Sequence, residues 1–374
     1  MYRAAIINAF DPNIYKGGIE TFLLNLKELL LQHNIHVDLH YFIPEPTLKV
    51  NPFPVTSLSK KIPEFLLKCF MLGRAFSRIE KDYDFVISNN FYGLGYFSPK
   101  VKSFNIYHSV HAAYADTLKG KISDSDYRDL KYFFGHLGDR MGGRHKIKIA
   151  VSQTVKGELR KYYGFKKITV VNHGIDTNFF DKIEETNTLR NKWDIPSHAF
   201  VGLFVGRWEI GKGTDIVEEV IRLHPDVIWL LAIGPSDCTL KEYDNIRVIK
   251  DADREILREL YSLSDFMLLP SCYEGFGLAI IEAMACKLPV ICMEVGVAKD
   301  LLEFDGLRRL ILPNGGKLEM IRGINERISF LKKDEGEKND ITDMGRSIIE
   351  KDYNIDLWKN RMSSVLGLQT IFSP

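Results

Sequence analysis

Apolar and polar residues follow two rhythms along the chain. YRAAIINAF, at the N-terminus, is a short, almost solid apolar run, and HVDLHYF alternates from residue to residue; both predict strands. Between them, GGIETFLLNLKELLLQH sets Ile19, Phe22, Leu23, Leu26, Leu29 and Leu30 at helical spacing along one face. DFVISNN, SFNIYHSVH and KIKIAVS predict further short strands, and ITVVNHGID closes this half at a Gly-containing turn. A second cycle then begins with the strand AFVGLFVGRW, the turn EIGKGT and the helix DIVEEVIRLH. VIWLLAIG, NIRVI, DFMLLPS and PVICME predict buried strands, with helices such as REILRELYSL between them. Strands alternating with helices imply parallel sheets covered on both faces. Two such runs predict two doubly wound domains, joined near residues 174–198, where DKIEETNTLRNKWDIPSH is polar and reaches a Pro.

A length of 374 residues suits two domains with separate cores. No apolar run reaches the roughly 20 residues a bilayer-spanning helix needs, and the N-terminus lacks the longer apolar region of a signal peptide. Cys69, Cys238, Cys272, Cys286 and Cys292 form no CxxC pair and read as reduced thiols in small apolar roles. The expectation is a cytoplasmic protein. The net charge of +1 hides a split, with +9 over residues 1–180 and −8 over the remainder. A basic first half suits an anionic partner such as a lipid headgroup, a phosphorylated acceptor or an acidic polymer, and equally an uneven solvated surface. Nothing implies a nucleic-acid partner.

Ligands of open parallel sheets bind beyond the C-terminal ends of the strands. In SCYEGFGLAIIEAMACKLPVI (271–291), CYEGFG is the turn after the strand DFMLLPS, and LAIIEAMAC the helix that starts there. Gly275 and Gly277 permit close approach of a ligand to exposed N–H groups at a helix N-terminus. Glu274 and Glu282 could face the same space and accept hydroxyls of a sugar or ribose. Taken alone, the stretch is also compatible with a core helix carrying one ion-paired Glu. VGRWEIGKG places Arg207 and Lys212 after the first strand of the same half, where two cations could hold a diphosphate without a metal.

VGRWEIGKG together with EGFGLAIIE resembles glycosyltransferase family 4, whose E-x7-E signature would be Glu274 to Glu282. GGIE (17–20), residues 149–176 and the tail NIDLWKNRMSSVLGL extend the resemblance over most of the chain. It implies an α/β fold of the GT-B type: two Rossmann-like doubly wound domains facing a deep cleft, with a C-terminal helix crossing back to the first. The N-terminal acceptor domain would be 1–176 with helix 356–374, and the donor domain 177–355. The implied activity is retaining transfer of a hexosyl or N-acetylhexosaminyl group from a UDP- or GDP-sugar to a hydroxyl acceptor on a glycan, lipid-linked or protein substrate. Arg207 and Lys212 would neutralise the departing diphosphate. Glu274 would bind the sugar with the Gly275, Phe276, Gly277 and Leu278 region, and Glu282 the ribose. Gly17 and Gly18 would approach the phosphates, Ile249 the base, and His108 the donor sugar, where His111 is the rival. No metal or other cofactor is implied. The same architecture also serves phosphorylases, nucleotide-sugar epimerases and inactive sugar-nucleotide-binding subunits.

Three features need separate weighing. Asp82-Tyr83-Asp84 matches a metal-binding D-x-D pattern but precedes a strand, so it reads as a surface turn. KKIPEFLLKCFMLGRAFSRIEK (60–81) is apolar among Lys60, Lys61, Lys68, Arg74, Arg78 and Lys81, with Lys100 beyond; it reads as a helix packed on the sheet with a basic outer face. The second reading is peripheral association with an anionic inner membrane face. VGVAKDLLE carries Gly296 and Lys299 where the family has a Gly-Gly turn with Pro and Glu, Lys287 replaces a usual Gly, and His173 a common Asn.

Overall fold

A computed structural model describes residues 2–15, 17–49, 62–234, 238 and 243–368. The chain divides into two compact units: Met1–His173 with Lys359–Pro374, and Gly174–Trp358.

Unit 1 contains a six-stranded parallel sheet ordered β2-β1-β3-β4-β5-β6. Its strands are β1 (Arg3–Ile7), β2 (His36–His40), β3 (Phe85–Asn89), β4 (Lys102–Tyr107), β5 (Ile147–Ala150) and β6 (Ile168–Val170). Helix Gly18–Gln32 buries Phe22, Leu23, Leu26, Leu29 and Leu30, the apolar stripe its spacing predicts. Helix Glu64–Phe76 buries Leu66, Cys69, Leu72 and Phe76 against the core built on Ile7, Val86 and Phe91. Lys68, Arg74, Arg78 and Lys81 are left exposed, so the apolar side of this segment is used inside the unit. Lys60 and Lys61 lie outside the described residues.

The strand expected over SFNIYHSVH is shorter. β4 stops at Tyr107, because the next backbone N–H, that of His108, bonds to the Asn90 side chain (3.0 Å), and a helix runs from His111 to Leu118. Asp82 and Asp84 stand at the N-terminal end of β3, where Asp84 accepts the Arg3 N–H at 2.7 Å.

Unit 2 contains a second six-stranded parallel sheet, ordered β12-β11-β10-β7-β8-β9. The strands are β7 (Phe200–Gly206), β8 (Val227–Ile233), β9 (Ile246–Lys250), β10 (Phe266–Leu269), β11 (Val290–Met293) and β12 (Ile311–Leu312). Strand order reverses direction between β7 and β10, the kind of switch point beyond whose C-terminal edge open parallel sheets take their ligands. In unit 1 the reversal falls between β1 and β3. Among the described residues no helix is long and apolar enough to cross a membrane.

Candidate active site

The two loops at the unit 2 switch point are stitched to each other. After β7 come Arg207, Trp208 and Glu209, then a 3-10 turn, Ile210–Lys212, and Gly213 at the start of helix Thr214–Leu223. After β10 the chain runs through Ser271, Cys272 and Glu274 to Gly277, which opens helix Leu278–Ala285. The Cys272 N–H donates to the Gly211 carbonyl at 3.1 Å, and the thiol reaches the same oxygen at 3.2 Å. Gly213 and Gly277 both have left-handed backbone, φ 72° and 96°. A Cβ on Gly213 would lie 2.2 Å from the Pro270 carbonyl oxygen, so only glycine allows the loops to lie this close.

That stitching brings two of the expected residues together: Lys212 Nζ donates to Glu274 Oε1 at 2.7 Å, with both side chains largely covered. Arg207 is mostly exposed and pairs with Glu209 at 3.0 Å. A third loop closes on the Glu274 turn. Gly296 has φ 53°, its Cβ would stand 2.2 Å from the Phe276 carbonyl oxygen, and that oxygen accepts the Val297 N–H at 2.7 Å. The single Gly296 therefore makes a close turn here, while Lys299 is exposed.

Glu282 sits one helical turn into an otherwise apolar helix that buries Ile280, Ile281, Ala283, Met284 and Ala285. Burial raises its carboxyl above the ordinary range; the Tyr261 hydroxyl, donating at 3.1 Å, and the Arg254 charge oppose that shift. Arg254 is held over Phe179 and Phe180, with 4.6 and 5.2 Å to the ring centroids. Arg346 donates to the Ala285, Phe180 and Thr177 carbonyls, anchoring the far end of the Glu282 helix. Ile249 is half-buried near the C-terminal end of β9. Phe276 is buried and meets the Tyr353 ring at 6.0 Å.

At the C-terminal edge of the unit 1 sheet, Gly17 precedes helix Gly18–Gln32 with extended backbone. His108 is buried; its Nε2 lies 3.0 Å from Asn89 Oδ1, and its ring stacks on His173 at 5.6 Å with Phe22 edge-on to both. Burial holds both imidazoles neutral, His173 being pushed down to about 3 and His108 well below the ordinary value. Among the described residues no group of three His, Cys, Asp or Glu gathers to hold a metal.

Residues 16–179 match the family model described as Glycosyltransferase Family 4, and residues 185–347 the one described as Glycosyl transferases group 1. The chain belongs to glycosyltransferase family 4.

Among curated relatives, the family 4 chain is 30% identical over 171 residues to D-inositol 3-phosphate glycosyltransferase 2 of Catenulispora acidiphila, covering 40% of each protein. The aligned region thus spans about two fifths of that relative's length. Sucrose-phosphate synthase from Thermosynechococcus elongatus has a similar fold, with TM-score 0.78 at 19% identity over the whole of both chains. Anabaena Alr3699/HepE in complex with UDP and glucose matches with TM-score 0.69 at 17% identity, over 98% of this chain and 99% of that one. These likenesses show two Rossmann-like α/β units of GT-B architecture.

Sequence reasoning missed three contacts of the candidate site: Tyr261 on Glu282, Glu209 on Arg207, and Cys272 bridging the loops. Tyr261 stands in REILRELYSL, a segment readable as a helix, yet nothing in its spacing points towards residue 282.

Proposed function

We propose that the chain transfers a hexosyl or N-acetylhexosaminyl group, with retention and without a metal, from a UDP- or GDP-sugar to a hydroxyl acceptor in polysaccharide, glycolipid or glycoprotein assembly. The observation that carries the reading is the stitched pair of loops at the unit 2 switch point. It supports Lys212, Glu274 and the N–H groups at the start of helix Leu278–Ala285 on one crevice, where a parallel sheet receives its ligand.

In this transfer the bond between the anomeric carbon and the diphosphate oxygen breaks and its electron pair leaves with the diphosphate, while the acceptor oxygen bonds to the anomeric carbon and its hydroxyl proton passes to the departing diphosphate oxygen. Preorganised donors aimed at that growing charge supply the largest catalytic term. Lys212 and Arg207 would meet it as cations, each now neutralised by a carboxylate, Glu274 or Glu209. Arrival of a diphosphate would draw the ammonium from Glu274 and free that carboxylate for the sugar hydroxyls. Glu282, oriented by Tyr261, would accept the ribose hydroxyls. Gly275, Phe276, Gly277 and Leu278 would supply close backbone, and Ile249 a flank for the base. In unit 1, Gly17 and Gly18 are assigned to the phosphates and neutral His108 to the donor sugar. The acceptor-binding unit carries the basic balance of the chain, which suits a phosphorylated acceptor or an anionic membrane face.

The test is nucleotide release from UDP-glucose, UDP-N-acetylglucosamine, GDP-mannose and ADP-glucose in EDTA. One donor should hydrolyse slowly without added acceptor, and Glu274→Gln should abolish that turnover. Binding of nucleotide with no turnover of any donor would instead support an inactive sugar-nucleotide-binding subunit, and loss of activity in EDTA would refute the metal-free chemistry.

A further inference from the structure

Unit 1 holds, at the C-terminal edge of its sheet, a histidine and carboxylate that the roles above leave unused. Asp139 closes the helical segment Asp129–Asp139, a π-type winding of the kind that recurs at functional sites, and is wholly buried. Its Oδ2 accepts the His111 backbone N–H (2.9 Å), His111 Nδ1 (3.0 Å) and the Tyr163 hydroxyl (2.9 Å), and its Oδ1 faces the Asn90 amide at 3.3 Å. Glycines in the segment and in the turn after it allow this close approach: a Cβ on Gly135 would stand 2.8 Å from the Ala112 nitrogen, and one on Gly142, just beyond Asp139, 2.9 Å from the Asn90 carbonyl oxygen. Asn90 itself has φ 41°, a strained backbone, and its side chain also bonds His108 N–H and the Ser109 carbonyl. One network therefore sets both histidines after β4.

An ionised carboxylate only accepts, so the proton of a neutral His111 belongs on Nδ1 and the lone pair on Nε2. The side chain is 22% exposed, and Nε2 has no partner among the described residues. Phe91, edge-on at 5.0 Å, fixes the ring plane. The chemical complement of an oriented imidazole lone pair on a partly exposed side chain is a hydroxyl donor.

We propose that His111, held by Asp139 and Tyr163, is the acceptor-binding residue of unit 1, its Nε2 receiving the hydrogen bond of an alcohol hydroxyl. The assignment rests on the transferase reading above and adds to it the residue that takes the acceptor. It predicts that the acceptor is recognised at a neutral hydroxyl by a fixed imidazole, while His108 serves the donor.

The test uses the donor that the panel identifies, with water as the simplest hydroxyl. His111→Ala removes the lone pair and opens a space, whereas His111→Phe removes the lone pair but keeps a ring against Phe91. Both should lower nucleotide release by about tenfold, the worth of one hydrogen bond to a bound hydroxyl. Affinity for UDP should stay within about twofold, and free imidazole should restore turnover in His111→Ala alone. Unchanged release in both variants would overturn the proposal, as would full activity in His111→Phe, which would reduce His111 to packing. Loss of UDP affinity parallel to loss of turnover would also overturn it. A wild-type protein that turns over no donor would instead bring down the transferase reading, and the acceptor assignment with it.

Discussion

Replacing Gly213 by Ala tests the loop stitching that the proposed chemistry depends on. Gly213 has φ 72°, a region that costs an L-residue about 1–2 kcal/mol. Its new Cβ would stand 2.2 Å from the Pro270 carbonyl oxygen, about 1 Å inside contact with a rigid backbone atom, which adds about 1–3 kcal/mol of overpacking. The total, about 2–5 kcal/mol, is a large part of the roughly 5–15 kcal/mol that holds a domain folded. At about 3 kcal/mol the melting midpoint of a domain this size falls by about 6–12 °C. Tryptophan fluorescence is the assay, because Trp193, Trp208, Trp229 and Trp358 all belong to unit 2 and report its unfolding alone. Relief of the clash must also move the Pro270–Glu274 loop relative to Lys212, so UDP affinity should fall even well below the transition. A midpoint shifted by less than about 1 °C, with UDP affinity unchanged, would refute both the close approach and its functional role.

Lys212→Ala should weaken UDP binding by about 10–100-fold, the worth of a charge-assisted hydrogen bond of about 1.5–3 kcal/mol, measurable by isothermal titration. Burial raises the Glu282 carboxyl, so the carboxylate proposed to take the ribose hydroxyls appears only as pH climbs through that raised range. UDP affinity should therefore increase from acid to neutral pH, and Tyr261→Phe, by removing the hydroxyl that favours the ionised form, should push the rise to higher pH. Lys146 in unit 1 is buried and pushed down to about 7 by desolvation, with Lys148 adding to the shift. The unfolded chain binds this proton up to about pH 10.4 and the folded one only up to about 7, so the penalty grows as pH falls through that window and is complete below it. Lys146→Met should stabilise unit 1 by a few kcal/mol near pH 6, about 5 at most, and by little near pH 10, as calorimetry at the two pH values would show.

The element types were legible because each depends on a short-range period. Phe22, Leu23, Leu26, Leu29 and Leu30 repeat at helical spacing and are the residues the first helix buries. Gly277 could be placed at a strand-to-helix turn because a left-handed start there favours glycine. Lys287 shows the converse: it carries φ 56° just after the Glu282 helix, and its side chain pairs with Asp343 at 2.8 Å. A usual glycine is thus replaced without loss of the turn, an outcome the residue alone did not announce. The end of β4 is not legible for a related reason, since the Asn90 side chain that ends it lies 18 positions away.

From the order of residues alone came the two parallel-sheet halves, the switch-point loops and the types of group they carry: cations after one strand, carboxylates and glycines after another. Periodicity and backbone preference act over a few residues, so they can be read from the string. Which groups meet was decided only in three dimensions. Lys212 finds Glu274 62 positions on, Tyr261 finds Glu282 21 positions on, and His111 finds Asp139 28 positions on. Those pairings follow from strand order and from glycines that let two backbones touch, and the strength of a hydrogen bond or the shift of a carboxyl depends on distance and burial, which no local pattern contains.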